Sequence, residues 1–175
     1  MKQGLVQVYT GNGKGKTTTA VGLLCRAVNY GLKICYVHFH KEPGRWAYGE
    51  INTLKKLGVT VLGCAHKHPH FYKNITKEEI RKNCLGMAEK IKGILKEKKY
   101  DIVVLDEILI SIRDGYLTEN EVAGIIKAKP KTTELVLTGR SATKKIIGMA
   151  DLVSEIREVK HPYHKGIMAR RGIEF

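Results

Sequence analysis

The segment TGNGKGKTTT, residues 10–19, joins the apolar segment LVQVY (5–9) to a second apolar segment, AVGLL (20–24). A short apolar run, then glycines, then a longer apolar pattern predicts a buried strand that turns into a helix. The three glycines allow backbone N–H groups to point into one concavity, and the N-terminus of the helix adds the positive end of its dipole. The segment therefore predicts a phosphate-binding loop.

Two side chains of this loop carry the chemistry that a bound polyphosphate needs. Lys16 brings a positive charge to phosphate oxygens, and the hydroxyl of Thr17 can ligate a magnesium ion. The spacing departs from the common pattern G-x-x-x-x-G-K-[ST], because Thr10 stands where the first glycine belongs and Gly11 follows one residue late. We interpret the loop as a P-loop; the alternative is a glycine-rich turn that happens to carry lysines.

Length and composition favour one soluble domain. A chain of 175 residues is long enough to bury about two thirds of the surface that its unfolded form exposes, so we expect residues 1–175 to form a single domain. The sequence contains no apolar run of about 18 residues, and Met1 leads into a strand instead of a signal segment. These features predict a cytoplasmic protein.

The cysteines indicate reduced thiols. Cys25, Cys35, Cys64 and Cys84 form no C-x-x-C pair, and the first two lie inside apolar patterns. Buried free thiols are therefore favoured over disulfides and over a metal site.

The net charge of +14, from 31 Lys and Arg against 17 Asp and Glu, favours an anionic partner. Nucleotides, nucleic acid and an acidic protein all satisfy this condition. Surfaces for single-stranded nucleic acid usually interleave basic residues with stacking aromatics, whereas 7% of this chain is aromatic. A basic surface around a polyphosphate site is the simpler interpretation.

Strand-like and helix-like segments alternate along the chain, which predicts a parallel sheet. Strands are predicted at residues 5–9, 34–39, 59–62, 100–107, 134–140 and 151–156, the last at an edge. Helices are predicted at residues 16–30, 51–57, 76–98, 117–127 and 143–149, with Thr76 and Glu79 forming a capping box. The predicted fold class is α/β, P-loop NTPase-like and recombinase-like, with a mostly parallel central sheet of five or six strands flanked by helices.

Three histidines, His66, His68 and His70, stand at alternate positions in the segment after the third predicted strand. On an extended chain this spacing places the imidazoles on one side, as a metal site requires. A solvated loop near a ligand is the alternative that we prefer, because Pro69 breaks the extended run.

The segment YDIVVLDE, residues 100–107, is a second signal of nucleotide chemistry. Four apolar residues that lead to Asp106 and Glu107 fit a Walker B strand, whose carboxylate holds magnesium directly or through water. In such folds we expect this strand beside the strand of the phosphate loop. The alternative is a buried strand that ends in a solvated acidic turn.

Several further segments carry a family resemblance across nearly the whole chain. They are VYTGNGKGKTT (8–18), RAV (26–28) with Gly31, Phe39 with Lys41, Gly49 with Glu50, VVLDE (103–107), LTGR (137–140), ADLVSE (150–155), VKH (159–161) and GIEF (172–175). Together they resemble the P-loop corrinoid adenosyltransferases, which make adenosylcobalamin from ATP and a reduced corrinoid.

The resemblance implies that Co(I) of the corrinoid attacks the 5′ carbon of the ribose and expels the whole triphosphate. A leaving triphosphate carries about four negative charges, which the loop and a magnesium ion would stabilise. The implied ATP-binding residues are Thr10, Gly11, Asn12, Gly13, Lys14, Gly15, Lys16, Thr17, Thr18, Arg26 and Arg140. The implied catalytic residues are Lys14, Lys16 and Glu107, and the implied ligands of Mg²⁺ or Mn²⁺ are Thr17, Asp106 and Glu107. No side chain need act as nucleophile, because cobalt does that work, and such a displacement requires no general base.

The resemblance also implies a homodimer, a flavoprotein-type reductant and an adenosylcobalamin-dependent acceptor enzyme, with neither a membrane nor nucleic acid as partner. Two features depart from the family. Relatives carry a Phe-x-Trp type pair after the third strand, where this chain has Cys64 to His70 followed by Phe71 and Tyr72. The corrinoid-facing residues are then expected among His66, His68, His70, Phe71 and Tyr72, and a histidine that ligated cobalt strongly would hinder its reduction. The chain also begins almost at its first strand, so we expect the N-terminal arm of relatives to be absent or supplied by another subunit.

Three rival functions remain open from the sequence. An ordinary P-loop kinase or ATPase would use Asp106 and Glu107 on a water or an acceptor hydroxyl, and would release ADP. A nucleic-acid-linked ATP-binding module would explain the net charge of +14. A corrinoid carrier that delivers its product to a mutase is the third.

Overall fold

The computed structural model describes residues 2–42, 48–65 and 75–174, and six strands form one sheet in this part of the chain. They are β1 (Val6–Thr10), β2 (Ile34–Phe39), β3 (Thr60–Cys64), β4 (Ile102–Asp106), β5 (Glu134–Thr138) and β6 (Leu152–Glu155). The helices are α1 (Lys16–Asn29), α2 (Gly49–Lys56), α3 (Lys77–Lys96), α4 (Ile108–Arg113), α5 (Glu119–Lys127) and α6 (Lys144–Gly148). A 3-10 turn follows at Pro162–Lys165.

The strands are ordered β3-β2-β4-β5-β1-β6, and every pairing among them is parallel. The predicted α/β class with a parallel, P-loop NTPase-like sheet is confirmed, with six strands and β6 at one edge. Ligands of open parallel sheets bind beyond the carboxyl ends of the strands. We therefore expect a site at the end of the sheet where these carboxyl ends lie.

The prediction that β1 and β4 are neighbours is wrong, because β5 lies between them. Leu135 of β5 is in register with Val6 of β1 on one side and with Val103 of β4 on the other. All five residues of β5 are buried, as is typical of a strand in the interior of a parallel sheet that is covered on both faces. The insertion places Thr138, at the end of β5, between the phosphate loop and Asp106.

Helices cover both faces of the sheet. Leu24 of α1 and Leu54 of α2 pack with Tyr36 on one face. Ile91 of α3 packs in a second cluster with Val37 on the other face. Adjacent residues of β2 therefore pack into hydrophobic clusters on opposite faces of the sheet. For this reason the strand is apolar at most positions and does not alternate between apolar and polar residues.

Most helices begin and end close to the predicted residues, because their capping residues are recognisable in the sequence. Thr76 Oγ1 accepts a hydrogen bond from Glu79 N at 3.2 Å, and Glu79 Oε2 accepts one from Thr76 N at 2.9 Å, which confirms the capping box. Helix α1 ends at Asn29, one residue earlier than expected, and α3 ends at Lys96 instead of residue 98. Helix α4 was missed, because six apolar-rich residues directly after a strand carry no cap signal.

The structure corrects one statement about the cysteines. Cys35, Cys64 and Cys84 are buried free thiols as predicted, but Cys25 is a free thiol on an exposed position of α1. An apolar neighbourhood in sequence did not reveal which face of the helix this residue occupies. Among the residues that the structure describes, no helix is both long enough and apolar enough to cross a membrane.

Candidate functional site

The phosphate loop lies under the chain that leaves β6. Gly13 N donates a hydrogen bond to Ile156 O at 2.8 Å. A Cβ atom on Gly11 would lie 2.4 Å from Ile156 O, and one on Gly13 would lie 2.7 Å from the carbonyl group of Arg157. Both positions therefore require glycine for close backbone approach.

Lys16, the first residue of α1, is buried beside this loop with 7% of its surface exposed. Its Nζ donates a hydrogen bond to Gly13 O at 2.6 Å. Burial lowers the pKa of Lys16, and the positive charge of Arg140 lowers it further, while Glu107 and Asp106 oppose this change. An arriving phosphate would offer the ammonium group a better partner than a neutral carbonyl oxygen.

Asp106, the last residue of β4, is fully buried and is held by four donors. Its Oδ1 accepts from Thr138 Oγ1 at 2.7 Å and from Thr17 Oγ1 at 3.0 Å. Its Oδ2 accepts from Tyr36 OH at 2.7 Å and lies 2.6 Å from Lys41 Nζ. Burial raises the pKa of Asp106, but Lys41 and the other donors outweigh this effect and lower the pKa below its ordinary value.

Glu107 has the opposite environment from its neighbour. It adopts a left-handed backbone conformation with φ of 64°, and its N–H donates to Thr138 Oγ1 at 2.9 Å. Burial and the charge of Asp106 raise the pKa of Glu107, while Lys41, Lys16 and Arg140 act against the rise. A non-glycine residue in this conformation at the end of a Walker B strand is a common sign of a functional position.

Gly13, Lys16 and Glu107 line a cavity of about 550 Å³, a size typical of small-molecule sites. Four parts of the chain line it: residues 12–18 with Val21, residues 41 and 48–50, Glu107 with Arg140, and His161 with residues 172–174. The cavity therefore combines the phosphate loop, a metal-type carboxylate and positive charge in one space.

The structure brings most of the predicted ATP-binding residues together. The predicted residues that line the cavity are Asn12, Gly13, Lys14, Gly15, Lys16, Thr17, Thr18, Glu107 and Arg140. Thr10, Gly11, Arg26 and Asp106 are not among its lining residues.

These four residues have other surroundings. Thr10 Oγ1 accepts a hydrogen bond from Ala142 N at 3.2 Å, so its side chain joins the phosphate loop to the segment after β5. Gly11 lies against Ile156, and Asp106 is buried behind Thr17. Arg26 is exposed on α1, ten residues beyond Lys16, which corresponds to about 15 Å along a helix axis. The structure therefore does not support a contact of Arg26 with a nucleotide in this cavity.

Lys14 already has an anionic partner. Its Nζ lies 2.8 Å from Glu174 Oε1 and donates to Ile173 O at 3.1 Å. Hydrogen bonds from Arg170 and then from Lys14 lower the pKa of Glu174 to about 2. The C-terminal segment thus contacts the phosphate loop at Lys14.

The predicted corrinoid-facing residues, His66, His68, His70, Phe71 and Tyr72, lie outside the described residues. Sequence reasoning assigned no role to Lys41, Tyr36 or Thr138, although all three contact Asp106. Position could have found Lys41 and Thr138, because residues at or just beyond the carboxyl ends of neighbouring parallel strands meet at one end of the sheet. Tyr36 lies in the middle of β2, in register with Val104, and carries no such signal.

A parallel six-stranded sheet, a glycine-rich loop that leads into a helix, and acidic residues at the end of β4 define a P-loop NTPase-like α/β protein. The family model described as "ATP:corrinoid adenosyltransferase BtuR/CobO/CobP" matches residues 2–175. The chain therefore belongs to this family, and the resemblance noted from its sequence is confirmed.

Individual relatives give the same result. The chain is 36% identical over 174 residues to the corrinoid adenosyltransferase CobA of Salmonella typhimurium, covering 99% of this chain and 87% of that protein. It is 37% identical over 183 residues to a corrinoid adenosyltransferase of Sinorhizobium sp, covering 99% and 81%. A corrinoid adenosyltransferase of Pseudomonas aeruginosa is 33% identical over 181 residues, with 99% and 85% covered.

Proposed function

We propose that this protein transfers the 5′-deoxyadenosyl group of ATP to the Co(I) centre of a corrinoid and forms adenosylcobalamin or an adenosylated precursor. The Co–C5′ bond forms with the electron pair of cobalt, the C5′–O5′ bond breaks, and tripolyphosphate leaves with that bonding pair. The main support for the proposal is that residues 2–175 match the model of the corrinoid adenosyltransferase family. The cavity supports it, because its lining matches the needs of a triphosphate leaving group.

The first task of the cavity is to stabilise charge that develops on the triphosphate. Lys16 is placed to exchange Gly13 O for a phosphate oxygen, and Arg140 lines the same cavity. Fixed positive groups in a partly buried site lower the energy of a transition state that gains negative charge. Lys14 adds to this effect once it leaves Glu174.

The second task is to hold a divalent cation, for which we propose Thr17 and Glu107. Thr17 donates its hydroxyl proton to Asp106, so the lone pairs of Oγ1 are available on the cavity side. Hydroxyl and carboxylate oxygens suit Mg²⁺ or Mn²⁺, so the residues present fit the ion. When bound, the ion neutralises charge on the triphosphate.

The family relationship also supports several finer proposals. We propose that residues 1–175 act as one domain in the cytoplasm, that the reductant is of the flavoprotein type and that an adenosylcobalamin-dependent enzyme accepts the product. His66, His68, His70, Phe71 and Tyr72 remain the proposed corrinoid-facing residues. A homodimer agrees with the edge strand β6, whose four residues are all exposed and include Leu152 and Val153.

One experiment tests the reaction. Protein, magnesium-ATP and chemically reduced cobalamin are mixed without oxygen, the visible spectrum is followed for a light-sensitive Co–C product, and phosphorus NMR identifies the released phosphate. Tripolyphosphate in equal amount to adenosylcobalamin is the expected result. ADP with inorganic phosphate, and no Co–C product, would instead indicate an ATPase or kinase.

A further inference from the structure

Lys41, two residues beyond β2, lies at the centre of a buried charge cluster. Its Nζ is 2.6 Å from Asp106 Oδ2 and 3.1 Å from Glu50 Oε1, and it lies 5.3 Å from the centre of the Tyr48 ring. Only 8% of the residue is exposed. Lysine side chains are rarely buried to this extent unless they are paired with an opposite charge, as Lys41 is here.

Asp106 has no acceptor capacity left for a metal ion. A carboxylate offers about four lone-pair positions, and Asp106 receives hydrogen bonds or an ion pair from four groups. Thr17, Tyr36 and Thr138 are neutral, so Lys41 supplies the positive charge that balances this buried anion. A divalent ion could ligate Asp106 only if a donor left.

The remaining carboxylates of the cavity also face positive groups. Glu50 is paired with Lys41, Glu174 with Lys14 and Arg170, and Glu107 lies within the field of Lys16. Within residues 2–42, 48–65 and 75–174, no cluster of three or more His, Cys, Asp or Glu side chains is arranged to hold a metal ion. The described cavity is therefore nearly charge-balanced before any ligand enters.

We propose that Lys41 is a positioning residue that occupies the cation position on Asp106, so that a divalent metal ion enters the cavity only together with the triphosphate of a nucleotide. Phosphate oxygens then complete a coordination shell for which the protein supplies only Thr17 and Glu107. Mg²⁺ commonly binds in this way, through few protein ligands and several phosphate or water oxygens.

The inference rests on the proposed use of a metal–nucleotide complex but not on the corrinoid. Removal of the Lys41 charge leaves Asp106 and Glu50 as two uncompensated carboxylates beside Thr17. Such a site attracts a divalent cation without nucleotide, since neighbouring charges interact strongly in a partly buried environment. The order of ligand binding is thus determined by one side chain that the chemistry itself does not use.

The test is a titration of the nucleotide-free protein with Mn²⁺, in which electron paramagnetic resonance measures the free ion. We expect weak binding to the wild type, and binding that is about tenfold tighter or more in Lys41→Met. Lys41→Gln keeps a hydrogen-bond donor but not the charge, and should show the same gain. Lys41→Arg should bind Mn²⁺ as weakly as the wild type.

Two further variants locate the effect. The double variant Lys41→Met with Asp106→Asn should lose most of the gain, because the added ion then keeps Glu50 but no longer has Asp106 as an anionic ligand at that position. Lys92→Met is the matched control, since Lys92 also pairs with a glutamate, Glu89, but on α3 away from the cavity. It should leave Mn²⁺ binding unchanged.

Tight stoichiometric binding of Mn²⁺ to the nucleotide-free wild type would overturn the inference without any variant. So would wild-type affinity in a folded Lys41→Met or Lys41→Gln protein. The corrinoid is absent from this titration, so a protein that hydrolyses ATP would fail the adenosylation assay and still give the expected Mn²⁺ result.

Discussion

At the scale of single residues, we propose that several side chains of the site exchange a partner in the free protein for a group of the nucleotide. Lys16 is the simplest case, because its Nζ donates a hydrogen bond to the carbonyl oxygen of Gly13 in the same loop. We expect Lys16→Ala to lower the rate of adenosyl transfer about 100-fold or more while the midpoint of thermal unfolding changes little. A wild-type rate of adenosylcobalamin formation would remove Lys16 from the mechanism.

Glu107 shows the cost of placing two carboxylates side by side. Its pKa is raised above the ordinary value of 4.5 by burial and by Asp106, so ionised Glu107 destabilises the folded protein relative to the unfolded chain. Glu107→Gln should therefore raise the thermal unfolding midpoint at pH 7 and lower the rate of adenosyl transfer, because the charge that we propose as a ligand of the divalent cation is lost.

The stability that ionised Glu107 costs the folded protein depends on pH in a defined direction. The penalty is complete above the folded-state pKa of Glu107 and is absent below 4.5, where both states bind the proton. The stability advantage of Glu107→Gln should thus shrink as the pH falls towards 4.5. Glu89→Gln, on the exposed side of α3, is the control and should change stability by less than about 1 kcal/mol. An equal stability advantage of Glu107→Gln at every pH would contradict the raised pKa of Glu107 in the folded protein.

At the scale of secondary-structure elements, the close approach of the β6 exit segment to the phosphate loop can be measured with glycine variants. In Gly13→Ala the new Cβ would lie 2.7 Å from the Arg157 carbonyl group, so backbone must move at a cost of about 1–3 kcal/mol. Gly22 lies within α1, and a methyl group added there would meet nothing within 4 Å, so Gly22→Ala should stabilise by about 0.5–1 kcal/mol. Urea unfolding measures both changes in the free energy of unfolding. Equal changes for the two variants would show that the segment after β6 moves away from the phosphate loop at no cost.

Some elements of the structure could be predicted from the sequence, and others could not. The strand–loop–helix unit at residues 6–29 and the capping box of Thr76 depend on neighbouring residues, and both were predicted. The insertion of β5 between β1 and β4 depends on pairings between residues far apart in sequence. The Lys41–Asp106 ion pair is likewise non-local, and its partners are 65 positions apart by their residue numbers. No local pattern encodes such contacts.

At the scale of the whole molecule, positive charge is in large excess, although the cavity itself is nearly charge-balanced. The net charge is +14, and Lys14, Lys16 and Arg140 all line the same cavity. Long-range attraction should therefore assist the arrival of an anionic nucleotide, in addition to the direct contacts that hold it. This contribution is distinguishable from the contacts because salt screens distant charges far more than adjacent, partly buried ones.

The KM for ATP should accordingly rise several-fold as salt increases from about 0.01 M to about 1 M, a change that shortens the Debye length from about 30 Å to about 3 Å. The value of kcat should change much less, since we propose that the bound triphosphate contacts Lys16 and Arg140 at short range. Inhibition by adenosine, which carries no charge, supplies the control and should depend little on salt. An equal salt dependence for adenosine and ATP would mean that salt acts on the protein itself and that the +14 charge does not guide the substrate.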